Sequence, residues 1–195
     1  MAAWYRYAEP VTEQPDARRD EAIALVRRGM TETPDFPEPG ILFRDLSGLF
    51  ADPEGLPVVG EALLTVHDGF GPFDAVAGVE ARGFVLGTAA ALAGGAGMLA
   101  VRKAGKLPGA VLTERYALEY GTAALEVHPD TLPAGSRVLV VDDVLATGGT
   151  LAATLRLIER AGWEVAGVAV VIELDGLDGR AALPDGVPVG ALLTL

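Results

Sequence analysis

The 195-residue chain contains no cysteine. That removes disulfide frameworks, thiolate metal sites and a cysteine nucleophile together, and it fits a reducing compartment. Histidine is scarce: His67 and His128 have no partners at zinc-ligand spacing, so both read as structural or surface residues. Positive charge is scarce as well. Fifteen Lys and Arg stand against 27 Asp and Glu, a formal net charge of −12, which leaves no broad basic surface for nonspecific nucleic-acid binding. The opening MAAWYRYAEP has no basic head followed by an apolar run, so no signal peptide is expected. A single uncharged stretch, Gly83 to Val101, has the length to span a membrane. Its Ala and Gly content, with breaks at Gly94, Gly95 and Gly97, predicts a buried helix, turn and strand instead.

What is present is globular: half the residues are apolar and 22% are charged. Residues 1–15 read as an irregular tail. DARRDEAIALVRRG, 16 to 29, predicts an amphipathic helix stopped by Gly29. The three prolines of TPDFPEPG, 33 to 40, predict irregular structure, and a second helix is expected near Leu56 to Phe70. From Asp74 onward apolar strands alternate with helices: DAVAGV, FVLGTAAALAG, GMLAVRK, AALEVH, SRVLVVDD, GTLAATLRLIERAG, EVAGVAVVIEL and finally PVGALLTL. Continuous apolar strands between helices predict an α/β fold with a mainly parallel sheet flanked by helices, in one domain over 1–195. The pattern lapses between Lys103 and Leu125, too long a gap for an ordinary connection, and residues 103–122 are expected to form a flexible lid loop.

The stretch VLVVDDVLATGGT, 138 to 150, carries the chemistry. A buried strand ends on Asp142-Asp143 and runs into Ala146, Thr147, Gly148, Gly149 and Thr150 at the start of a helix. In an open parallel sheet, ligands bind beyond the C-terminal strand ends. A turn of small residues opening a helix offers free backbone N–H groups and a favourable dipole to a phosphate. It is neither a G-x-x-x-x-G-K-[ST] loop nor a G-x-G-x-x-G turn. Two acids ahead of a phosphate site repel the phosphate unless they serve another part of the ligand, such as vicinal hydroxyls or a Mg²⁺ ion. The combination points to a ribose 5-phosphate. A strand end with an Asp cap and a loop rich in helix starters is the plainer alternative.

VLVVDDVLATGGT resembles the phosphoribosyl-pyrophosphate (PRPP) signature of the type I phosphoribosyltransferases, and three further stretches resemble the adenine-using branch of that family. These are PDFPEPGILFRDLS (34–47), GVEARGFVLG (78–87), and VRKAGKLPG with YALEYG (101–109 and 116–121). The resemblance runs in order from about Pro34 to Glu173. It implies the type I fold with its lid loop and a small N-terminal hood-like segment. It also implies transfer of 5-phosphoribose from PRPP to adenine, giving AMP and pyrophosphate, in a cytoplasmic homodimeric enzyme of purine salvage.

The same resemblance distributes roles. Asp142 and Asp143 contact the ribose hydroxyls, and residues 146–150 hold the 5-phosphate. Arg82, Arg102, Lys103, Lys106 and Tyr120 serve the pyrophosphate, with a non-proline cis peptide expected at Glu80-Ala81. Phe43 stacks on adenine while Leu42 and Arg44 read its edge through backbone groups. Glu119 is the acid/base near N7. Mg²⁺ rides on PRPP with no direct protein ligand. Read as residues alone, Arg82 could equally make a surface ion pair, the lid cations a solvated loop, and Phe43 a core contact. A phosphoribosyltransferase for another purine, or a PRPP-binding regulator without catalysis, are the rival functions. The partners expected are small-molecule substrates, with neither nucleic acid nor membrane.

Overall fold

Apolar runs of β-branched and small residues form the middle of the molecule, as their patterning predicts. The computed structural model describes residues 15–118 and 121–195. In chain order the elements are α1 (Pro15–Gly29), β1 (Thr31–Pro34), β2 (Leu42–Asp45), α2 (Ser47–Ala51) and α3 (Gly55–Thr65). They continue with β3 (Ala75–Val79), α4 (Arg82–Ala93), β4 (Gly97–Lys103), β5 (Leu112–Leu118) and β6 (Gly121–Val127). The last are β7 (Arg137–Leu145), α5 (Gly149–Arg160), β8 (Glu164–Glu173), a 3₁₀ turn (Gly179–Ala182) and β9 (Val189–Thr194).

Seven strands form one sheet in the order β5-β6-β4-β3-β7-β8-β9. β4, β3, β7, β8 and β9 pair in parallel. The β5–β6 hairpin is antiparallel and joins the sheet through Arg102↔Glu126 and Lys103↔Leu125. Strand β7 sits between β3 and β8, buried on both faces. Leu139 and Val141 pack with α1, α2, α3 and α4, while Val138 and Val140 pack with α5. A small antiparallel ribbon of β1 and β2 stands apart from the main sheet.

Four expectations are corrected. The uncharged stretch 83–101 is α4 and β4, parted at Gly94, Gly95 and Ala96, as predicted, and no described helix is long and apolar enough to cross a membrane. The second helix, however, is shorter than expected and is preceded by a separate α2, because Asp52 precedes Pro53 and takes an extended ψ of 126°. Thr33 and Pro34 belong to β1, where the proline lies at the strand end and its missing N–H is tolerated. Lys103 ends β4, and residues 112–118 of the expected loop form the hairpin strand β5. Pro15 opens α1, and the rest of the expected tail lies outside the described residues.

Candidate active site

The C-terminal ends of β3 and β7 open into a cleft of about 680 Å³. The acid pair lies at its floor. Asp142 packs against the N-terminus of α4, where a Cβ on Gly83 would lie 2.8 Å from Asp142 Oδ1. Asp142 Oδ1 accepts the Asp143 N–H at 3.0 Å. Burial first, and the neighbouring Asp143 charge second, push the Asp142 carboxyl well above the usual carboxylate range. Asp143 is 6% exposed. Its Oδ2 faces Arg82 Nε at 2.7 Å, but the approach is not aligned as a hydrogen bond, so this buried oxygen has no donor.

After β7 the chain turns through Ala146, Thr147, Gly148, Gly149 and Thr150, all lining the cleft. Gly148 caps α5 at φ +79°, a left-handed conformation that suits glycine. Its Cα also lies against the carbonyl of Gly179, leaving no room for a side chain. The turn is thus seated on the 3₁₀ segment, and the start of α5, where a helix leaves its first N–H groups without partners of its own, lines the cleft.

Across the cleft, Arg82 opens α4 directly after the Glu80-Ala81 peptide, which is cis as expected. Besides facing Asp143, its guanidinium donates to the Arg44 carbonyl at 3.3 Å and lies over the Phe43 ring at 5.4 Å. Phe43 is braced edge-on by Phe36. Leu42 pairs with Pro34 at the end of the ribbon. Glu80 accepts the Lys103 backbone N–H at 2.9 Å and Arg102 Nε at 3.0 Å. The Lys103 amide chiefly, with Arg102 beside it, holds the Glu80 carboxyl below its ordinary range against the opposing effect of burial.

Leu42, Phe43, Arg44, Arg82, Lys103, Asp142, Asp143 and the whole turn 146–150 therefore line one cleft. Arg102 and Lys106 do not line it. Arg102 is paired with Glu80 and lies over the Phe84 ring. Glu119 and Tyr120 lie outside the described residues. The sequence reading missed Glu80, whose ties to Arg102 and Lys103 cross between strands, and Tyr116, whose hydroxyl accepts from Thr150 Oγ1 at 3.3 Å. Tyr116 was visible only as part of the YALEYG motif. His67 accepts the Gly69 N–H and His128 bonds the Ala110 carbonyl, both local structural roles as expected.

A mainly parallel sheet covered on both faces, whose acid pair and glycine-rich turn meet at a helix N-terminus, defines a class, and the sequence comparison agrees. The family model for the phosphoribosyl transferase domain matches residues 47–184, and the chain belongs to that family. Its relatives are more particular. An adenine phosphoribosyltransferase of Clavibacter sepedonicus is 59% identical over 98% of this chain and 94% of its own length. That of Clavibacter michiganensis subsp. michiganensis is 62% identical over 89% of this chain and 97% of its own. The crystal structure of adenine phosphoribosyltransferase from Rhodothermus marinus superposes with a TM-score of 0.82 at 48% identity, covering 90% of this chain and 99% of that one. The Saccharomyces cerevisiae enzyme, solved with an imino-altritol bisphosphate and adenine, gives 0.83 at 38% identity, covering 89% and 99%.

Proposed function

We propose that this protein transfers the 5-phosphoribosyl group of PRPP to adenine. The C1–O bond to pyrophosphate breaks, the C1–N9 bond forms, and AMP and pyrophosphate leave. The observation that carries this reading is that the acid pair, the turn 146–150, Arg82 and Phe43 line one cleft at the C-terminal strand ends. Its volume is within the range of small-molecule sites, roughly 300–1,000 Å³.

In this reading the backbone N–H groups and hydroxyls of Thr147 and Thr150 hold the 5-phosphate. Asp142 and Asp143 accept hydrogen bonds from the ribose hydroxyls. Arg82 and Lys103, with Arg102 and Lys106 of the same cation-rich segment, bear on the pyrophosphate, whose charge grows as the bond breaks. Tyr120 belongs with that group. Phe43 stacks on the purine, with the Leu42 and Arg44 backbone groups at its edge. Glu119 takes up the proton that the adenine ring carries on N7, which leaves the N9 lone pair free to attack C1.

The residues also fit Mg²⁺. Asp142 and Asp143 are hard oxygen donors, and Asp143 Oδ2 is a buried oxygen without a donor. They would hold a PRPP-bound ion at one remove, and the ion supplies neutralisation of the leaving pyrophosphate. PRPP is highly charged and does not cross membranes unaided, which supports a cytoplasmic setting. A homodimer belongs to the same proposal. It is supported by an apolar groove of about 610 Å³ between α3 and α4, where Leu92 is 78% exposed.

The test is product formation with PRPP and Mg²⁺, offering adenine, hypoxanthine, guanine and orotate in parallel. AMP from adenine alone is expected. Nucleotide from another purine alone would change the base. No nucleotide, with PRPP still bound in a calorimeter, would make the chain a PRPP-binding regulator.

A further inference from the structure

Strand β6 holds the hairpin to β4 through two paired positions and the Ala104 N–H to Ala124 carbonyl bond, while β5, at the sheet edge, pairs with β6 alone. Its other support is α5. Glu114 on β5 lies between two guanidinium groups of that helix: Arg156 Nε at 2.6 Å and Arg160 Nη1 at 2.7 Å. Arg160 Nη1 also donates to the Thr113 carbonyl at 2.8 Å, so one side chain grips both backbone and carboxylate. Glu114 is the sheltered member of the triad, 17% exposed against 45% and 48% for the arginines.

Two residues further along β5, Tyr116 reaches the opposite end of the same helix. Its hydroxyl accepts from Thr150 Oγ1, and its ring lies beside Gly149. Strand β5 therefore runs antiparallel along α5, touching Arg156 and Arg160 near the helix C-terminus and the phosphate turn at the N-terminus. A tilt of β5 at Glu114 moves Tyr116 relative to Thr150.

We propose that Glu114 is a positioning residue: clamped between Arg156 and Arg160, it sets the hairpin on α5 and so places Tyr116 against the turn that holds the 5-phosphate. The proposal rests on reading that turn as the PRPP phosphate site. The charge of Glu114, supported on both sides, is maintained at neutral pH, because the Arg156 hydrogen bond, seconded by Arg160 against the effect of burial, lowers its carboxyl below the ordinary range.

Charge reversal tests it in the full chain. Glu114→Arg is compared with wild type and with the triple variant Glu114→Arg, Arg156→Glu, Arg160→Glu, and Glu114→Gln serves as an isosteric control. Two quantities are read: steady-state KM for PRPP and for adenine, and amide hydrogen exchange over residues 112–117 without ligand. Glu114→Arg is expected to raise KM for PRPP roughly tenfold and Glu114→Gln by about fivefold, as loss of a networked rather than isolated ion pair. KM for adenine and kcat stay within about twofold, the signature of a binding rather than a chemical role. Exchange in β5 accelerates, and the triple variant restores both readouts.

An unchanged KM for PRPP overturns the proposal, whether or not thermal stability falls, since a stability loss alone means the triad is merely structural. Failure of the triple variant to restore also overturns it. If wild type does not turn over PRPP, the phosphate reading fails on its own, and unchanged exchange in β5 of Glu114→Arg would then overturn the clamp separately.

Discussion

Asp142 shows what the site asks of a single residue. Its carboxyl is raised by burial and by the Asp143 charge, so folding favours the protonated form. The stabilisation is complete below the unfolded value, roughly 3.9, and is lost as pH rises through the higher folded value. Above the unfolded value that stabilisation is progressively lost, so burying this acid weakens the ligand-free fold at neutral pH relative to low pH. Asp142→Asn should therefore raise the ligand-free melting temperature at pH 7.5 by a few degrees, about 2–4 °C for each kcal/mol in a chain of this size. The advantage should vanish toward pH 4, where wild type carries the proton itself. The same variant should lose roughly tenfold to a hundredfold in kcat/KM for PRPP, the range for hydrogen bonds to a charged group. An unchanged value would remove the ribose assignment. Glu119→Gln should act differently, lowering kcat by about a hundredfold or more while PRPP affinity changes little. Wild-type turnover would leave Glu119 without an acid/base role. The acid pair and turn were legible in sequence because they are contiguous. The Arg82–Asp143 and Arg102–Glu80 pairs were not, because only the sheet brings β3, β4 and β7 side by side.

Elements show the same division. α5 and β7 declare themselves through runs of apolar residues, and Leu155, Leu157 and Ile158 are fully buried. β5 hides. Leu112, Glu114 and Tyr116 share its α5-facing side, but a carboxylate in the middle of that side breaks the apolar alternation on which strand recognition depends. Its compensating arginines come 42 and 46 residues later. The seating of the turn on the 3₁₀ segment was equally invisible, since Gly148 reads as a phosphate-loop glycine and only the fold places Gly179 beneath it. Gly148→Ala puts a Cβ into a left-handed residue, at about 1–2 kcal/mol, and also drives it into the Gly179 carbonyl. The melting temperature should fall and KM for PRPP should rise. Gly176→Ala is the control: its φ is +83° with nothing within 4 Å of the added Cβ, so it should cost stability alone. Equal KM values in the two variants would mean the seating does not shape the turn.

For the whole molecule, the parallel α/β architecture was legible because buried parallel strands are apolar on both faces and cannot be mistaken for half-exposed ones. The apolar groove between α3 and α4 was not, because Val85 and Leu92 read simply as helix core until the fold turns them outward. If the proposed dimer closes over it, Leu92→Glu should give a monomer by light scattering, with the melting temperature of the protomer little changed. An intact dimer would place the interface elsewhere.

A chain with a net charge of −12 must admit a strongly anionic substrate. Its cleft is not an empty field of cations awaiting one. Arg82, which lines it, already faces Asp143. If Arg82 serves the pyrophosphate as proposed, the incoming anion competes with Asp143 for that guanidinium, and binding becomes an exchange of anions rather than a simple neutralisation. Two things follow from that trade. Fewer solution ions are displaced than the substrate's charge alone would require, so affinity falls less steeply with added salt. On the same reading, Asp143 reclaims Arg82 when the product leaves, and an otherwise adhesive anion is let go.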